Sequence, residues 1–140
     1  MAQLSSLKYL DVSHNQLNTL PPSLYALPHL DYFKISHNRL SSLPEDGVDK
    51  LNAVELDISA NSLPSLPAAL SMCKRLKVLR VEENCLDLAG FPSEILENSN
   101  VSLLCLEGNL IQQKELQQVQ GYEKISYVNQ ILSTDHLLFY

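Results

Sequence analysis

Within twelve positions, RLKVLRVEENCL (75–86), the chain gathers Arg75, Arg80, the adjacent carboxylates Glu82 and Glu83, Asn84 and Cys85. Two neighbouring carboxylates could exchange a proton or hold a divalent cation. A cysteine could attack an electrophile if a histidine stood beside it. Elsewhere His14 and His37 occupy like positions in the repeated triplet SHN and could approach one another as metal ligands. Each of these readings meets a simpler one. Glu82 and Glu83 are consecutive residues at the end of a strand, so their side chains diverge and suit a solvated edge. Two histidines without a third ligand make an incomplete metal site. Cys85 and Cys105 have no histidine in register, and Cys73 falls at an apolar core position. Asn100-Val101-Ser102 matches a glycosylation acceptor only formally, and no glycine-rich phosphate loop occurs. The sequence therefore assigns no catalytic residue, no metal and no cofactor.

Composition restricts the partners. The 140 residues are 45% hydrophobic and 19% charged, which suits one globular domain. Ten Lys and Arg stand against sixteen Asp and Glu, a formal charge of −6, so an extended polyanion is repelled and nucleic-acid binding is not expected. No apolar run approaches the roughly 20 residues of a membrane span. The opening MAQLSSLKYL has neither a basic region nor a sustained apolar stretch, so neither secretion nor membrane spanning is expected; this chain encodes no membrane contact, and membrane association of a longer lipidated form stays open. Three widely spaced cysteines give neither a zinc pattern nor a disulfide framework, which points to a reducing, cytoplasmic setting.

Leucine, about one residue in five, sets the organisation. Aligned on asparagine, the blocks are LKYLDVSHNQL (7–17), LDYFKISHNRL (30–40), AVELDISANSL (53–63), LKVLRVEENCL (76–86) and VSLLCLEGNLI (101–111). Asn15, Asn38, Asn61 and Asn84 are spaced by 23 residues, and Asn109 follows after 25. Every block fits L-x-x-L-x-L-x-x-N-x-L, the leucine-rich-repeat pattern, once Phe, Ile, Val or Ala is allowed at the leucine positions. Alternation in its centre makes a short strand with one buried face, Leu10 and Val12 inward, Tyr9, Asp11 and Ser13 outward. The asparagine side chain can pair backbone groups where the chain turns away, so the five asparagines are expected to stack as a structural ladder. The outward positions form columns: Asp11, Lys34, Asp57, Arg80 and Cys105, with alternating charge, beside Tyr9, Tyr32, Glu55, Val78 and Leu103. Opposite charges on adjacent strands suggest a self-compensating ladder.

Leu20-Pro21, Leu43-Pro44, Leu66-Pro67 and Phe91-Pro92 open the return halves, where proline fixes φ and needs no amide partner. Turns and short helical pieces are expected there, with Leu24, Leu27, Leu70 and Cys73 inward. Gly47 occupies a leucine position and predicts a bulge, and the longer return containing Gly90 should differ in shape. The chain divides into repeats over 1–111 and a C-terminal helical cap with a divergent tail over 112–140. In that cap IQQKELQQVQGYEKI forms a helix with Ile111, Leu116, Val119 and Tyr122 facing the last coil. HLLFY (136–140) either packs on the cap or frays. Leu4 and Leu7 start in register with nothing polar ahead of them, so the N-terminal edge is expected to be uncovered.

The period and the L-x-x-L-P segments resemble intracellular leucine-rich-repeat proteins of the Ras-suppressor type. Residues 75–124, with EENCL, EGNL and GYEK at their separations, carry the likeness furthest. Met1-Ala2 lacks the Met-Gly of a myristoylation signal, and the tail after Lys124 departs from the family, so the chain reads as a fragment, an alternative product or a divergent form. The resemblance implies an α/β solenoid, with a curved parallel sheet of about five strands, and a non-catalytic scaffold for a protein partner. Tyr9, Asp11, Tyr32, Lys34, Glu55, Asp57, Val78, Arg80 and Glu82 are its candidate contacts on the concave face. The other reading is a structural or regulatory piece that self-associates, or pairs with another repeat segment, through the N-terminal edge.

Overall fold

The computed structural model describes residues 5–125 and 127–129. Within them the chain winds as a series of stacked coils, each contributing one three-residue strand to a single parallel sheet. The strands are β1 (Tyr9–Asp11), β2 (Tyr32–Lys34), β3 (Glu55–Asp57), β4 (Val78–Arg80), β5 (Leu103–Cys105) and β6 (Tyr127–Asn129), in spatial order of sequence. Register is strict: Tyr9 pairs with Tyr32, Tyr32 with Glu55, Glu55 with Val78 and Val78 with Leu103. The strand centres Phe33, Leu56, Leu79 and Leu104 point inward and are at most 2% exposed. Ile35, Ile58, Val81 and Leu106, two residues on, complete the buried face as the period-2 alternation requires.

Proline shapes the return halves as the sequence suggests. Pro21, Pro67 and Pro92, at φ near −65°, lead into the 3₁₀ turns Pro22–Ala26 and Ala68–Met72 and into helix α1 (Ser93–Asn98). Gly47 sits at φ +81 and starts the shorter 3₁₀ turn Val48–Lys50, which buries Val48 and Leu51 despite their shifted positions. Leu27, Leu70 and Cys73 are core residues, whereas Leu24 is half-buried and the neighbouring Tyr25 takes the interior place. Its phenol reaches through the core to donate to the Pro44 carbonyl at 2.9 Å.

The C-terminal part departs from a single cap helix. Helix α2 spans only Gln113–Gln117. Gly121, at φ +95, then breaks the helical path, a 3₁₀ turn covers Tyr122–Lys124, and the chain enters β6. Apolar spacing is retained: Ile111, Leu116 and Ile125 are buried, with Val119 and Tyr122 packed against the core. The segment is thus folded as another return, and β6 extends the sheet to six strands among the described residues. HLLFY (136–140) and Leu4 lie outside the described residues.

Candidate protein-interaction surface

The asparagines fix the strand ends. Asn61 donates through Nδ2 to the carbonyls of Ile35, Ile58 and Ser59, all at 3.1 Å, and its Oδ1 accepts from Leu40 N–H at 3.0 Å. Asn38 and Asn84 repeat this set, each joining its own coil to the one before. Asn109 does so with two carbonyls and Leu86 N–H. Among the described residues Asn15, exposed in the first coil, bonds to Val12 and Ser13 in its own coil. The residue before each asparagine is left-handed: His14, His37, Ala60, Glu83 and Gly108 have φ between 53 and 81°.

This column explains the apparent chemistry. His14 and His37 stack face to face with ring centroids 4.3 Å apart and planes 10° from parallel. Imidazole lone pairs lie in the ring plane, so stacked rings aim them side by side rather than at one ion. Glu83 turns outward in its left-handed conformation, while Glu82 falls in the outward column Ser13, Ser36, Ser59, Glu82, Glu107. The larger Glu82 is confined where earlier coils carry serine. Its Oε1 is buried without a hydrogen-bond partner among the described residues, and burial raises its carboxyl above the usual range. Among the described residues no three His, Cys, Asp or Glu side chains are gathered to hold a metal.

The concave columns come together in register but not as the expected ion-pair ladder. Asp57 faces Arg80 across the strands, yet its carboxylate accepts from Ser59 N–H at 3.0 Å and Ser59 O–H at 2.6 Å. Asp11 likewise accepts from Ser13 N–H at 2.9 Å, and the Ser13 hydroxyl first, then this amide, lower its pKa. An aspartate two residues before an amide closes a local Asx-type ring more readily than it reaches the next strand. Arg80 is left to Glu55 on the diagonal, 3.4 Å away, and to Glu82, just past the end of β4 in its own coil, at 3.8 Å. Lys34 places its ammonium over the Tyr9 ring, 5.6 Å from the centroid. Tyr9 and Tyr32 tilt together at 6.1 Å and remain 50% and 44% exposed.

Cys105 also departs from its column. Its outward position is buried, with Arg80 Nη1 3.7 Å from Sγ and β6 alongside, and burial raises the thiol pKa. It does not form part of an open surface. Two halves therefore result: an open aromatic and basic patch of Tyr9, Tyr32 and Lys34, and a cross-linked cluster of Glu55, Arg80 and Glu82 around half-buried Val78.

The opposite ends of the strands carry a second string that the motif reading missed. Asn52 donates to the Pro28 carbonyl at 2.8 Å, Arg75 to the Asn52 carbonyl at 3.1 Å and to Asp31 at 2.8 Å, and Asn100 to the Lys74 carbonyl at 2.8 Å. Asn52, Arg75 and Asn100 follow the repeat register themselves, which was the available signal. Asn100 accordingly has a lateral structural role. A shallow cavity of about 350 Å³ between Ser42, Leu43, Glu45, Ser65, Leu66 and Pro67 holds Glu45 as its one titratable side chain.

The strict register, the single parallel sheet and the asparagine ladder decide the architecture. The fold is a leucine-rich-repeat solenoid. A family model described as leucine rich repeat matches residues 1–40. A leucine-rich-repeat protein of Leptospira interrogans is similar in structure, with a TM-score of 0.80 and 33% sequence identity. That alignment covers 91% of this chain and 32% of the other, so the chain spans about a third of that protein's length. Both matches support a leucine-rich-repeat family. Among the described residues no helix is long and apolar enough to cross a membrane.

Proposed function

We propose that the leucine-rich-repeat chain is a non-catalytic scaffold that binds a protein partner through its concave face, with Tyr9, Tyr32 and Lys34 as the principal contacts. One observation carries this reading: two large aromatic side chains, held together by tilted stacking and an overlying ammonium, stay about half exposed on a rigid sheet. Aromatic anchors on pre-formed elements bind with little loss of side-chain freedom. Asp11, Glu55, Asp57, Arg80 and Glu82 serve as a polar rim beside the half-buried apolar contact Val78, since most of their charge is already engaged within the sheet. Three free cysteines fit an intracellular setting, and a signalling role is consistent with the Ras-suppressor type of repeat. Residues 75–124 further resemble the C-terminal part of leucine-rich repeat-containing protein fifty-seven.

The experiment is proximity capture in cells, comparing the native chain with Tyr32→Ala/Lys34→Glu. These residues are not in the hydrophobic core, so circular dichroism should be unchanged while specific partners are lost. Retention of the same partners by the folded variant would remove the concave-face reading.

A further inference from the structure

The residues before the ladder asparagines form a column of their own just past the strand ends: His14, His37, Ala60, Glu83 and Gly108. All five hold a left-handed φ, and their amides bond alike from coil to coil, His37 N–H to Ser59 O and Ala60 N–H to Glu82 O. Side chains in this column lean toward the coil before, since a Cβ at Gly108 would stand 3.2 Å from the Glu83 amide nitrogen. His37 accordingly lies flat on His14, with 4.3 Å between ring centroids and planes 10° from parallel, and both residues are exposed. The stack then stops. Ala60 supplies only a methyl group where a third ring would lie, leaving the second face of the His37 imidazole open above it. Glu83, one coil further, leans back toward this gap. It is exposed, and among the described residues neither Glu83 nor Glu107 makes an ion pair.

We propose that this gap is a binding slot for an arginine side chain of a protein partner, its guanidinium stacked on His37 over Ala60 and its N–H groups donating to the Glu83 carboxylate. Adjacent coils lie about 4.8 Å apart, so about 10 Å separates His37 from Glu83. One planar group laid at the stacking distance of the two histidines occupies the first step, and its edge then stands one step from a rotatable carboxylate. Guanidinium is flat and weakly hydrated, stacks on aromatic faces and offers forked donors to a carboxylate. A lysine ammonium lacks the flat face, and a neutral aromatic ring leaves Glu83 unpaired. Charge selects the same occupant. Glu82, Glu83 and Glu107 stand on the two coils beyond Ala60, and the chain as a whole carries −6. Arg80 is already held by Glu55 and Glu82, while Arg39, the residue after Asn38, makes no ion pair with Glu83 among the described residues. The Glu83 carboxylate is thus available to an incoming cation.

The probe is an acetylated, amidated Gly-Arg-Gly peptide, titrated into the full chain to millimolar concentration while the His37 ring signals are followed by NMR. Mildly alkaline buffer keeps imidazole uncharged. A saturable shift of the His37 signals is expected. The same peptide with citrulline, equally planar but neutral, or with lysine should bind about threefold more weakly or worse. Glu83→Gln should weaken the arginine peptide by about threefold. Ala60→His fills the slot with a third ring, in the left-handed conformation already held by His14 and His37, and should abolish the response. Circular dichroism checks that each variant is folded. Absence of a saturable shift in the native chain, equal binding of the three peptides, or a full arginine response in folded Ala60→His would overturn the slot. Concave-face capture by Tyr32 and Lys34 is read separately, so either proposal can fail alone.

Discussion

Asn61 carries four hydrogen bonds spread over two coils, while Asn15 carries two within one. Removing a side chain that pairs buried backbone groups leaves each of them desolvated without a partner, at about 1–3 kcal/mol apiece where water cannot reach. Asn61→Ala should cost on the order of 3 kcal/mol in urea denaturation, and Asn15→Ala less than about 1 kcal/mol, since its partners are near solvent. Similar losses at both positions would show that the ladder is not what distinguishes them. Cys73 gives a second residue-scale expectation. It is 1% exposed, donates to the Val48 carbonyl at 3.2 Å, and burial, then the charge of Asp49, pushes its thiol from 9.0 to about 11. The raised folded value means that the neutral thiol's stabilisation is complete below pH 9 and is lost as pH rises toward 11. Tyr25 is raised by burial too and adds to the alkaline slope. Cys73→Ala should cost about 1–3 kcal/mol at neutral pH but flatten the fall in stability over that window. Urea titrations at stepped pH check the difference in slope, and an unchanged slope would reject the assignment.

Elements differ in how plainly the sequence announces them. The first five strands were legible because leucine spacing, asparagine and alternating exposure all describe the same turn of the solenoid. The sixth was not. Ile125 and Val128 keep the first two apolar positions of the motif, but Gln130 stands at the third and Ser133 where asparagine belongs. The glutamine-rich run before it reads as a long amphipathic helix, and only the left-handed Gly121 shows why it stops. Column membership was equally legible, yet the ion pairing was not: local serines capture Asp11 and Asp57 before a neighbouring strand can. The long return shows a comparable local constraint. A Cβ at Gly90 would collide with the Pro64 carbonyl oxygen, and Gly90 O accepts from Leu66 N–H at 3.0 Å. Gly90→Ala must therefore push two coils apart and should destabilise by about 1–3 kcal/mol, whereas Gly47→Ala meets no atom within 4 Å and suffers only from its left-handed φ. Thermal melts of the pair test this order.

At the scale of the molecule, each coil touches its neighbours and little else, apart from the Arg75–Asp31 bridge that spans two coils. Stability in such an array is approximately a sum of coil and interface terms, so among the described residues the coil of β1, packed on one side, is held less firmly than a middle coil packed on both. The burial gradient states this directly: Leu10 and Val12 are partly open, while Ile58, Leu79 and Val81 are closed. Hydrogen exchange should therefore report a gradient rather than one global opening. The amides of Ile58 and Val81, which bond to Arg80 O and Cys105 O, should exchange most slowly. Those of Val12 and His14, bonded to Lys34 and Ser36 in the next coil, should open with a free energy about 2 kcal/mol lower. Equal protection from β1 to β5 in dilute solution would mean that the coils unfold as one unit and that the open first coil carries no energetic penalty.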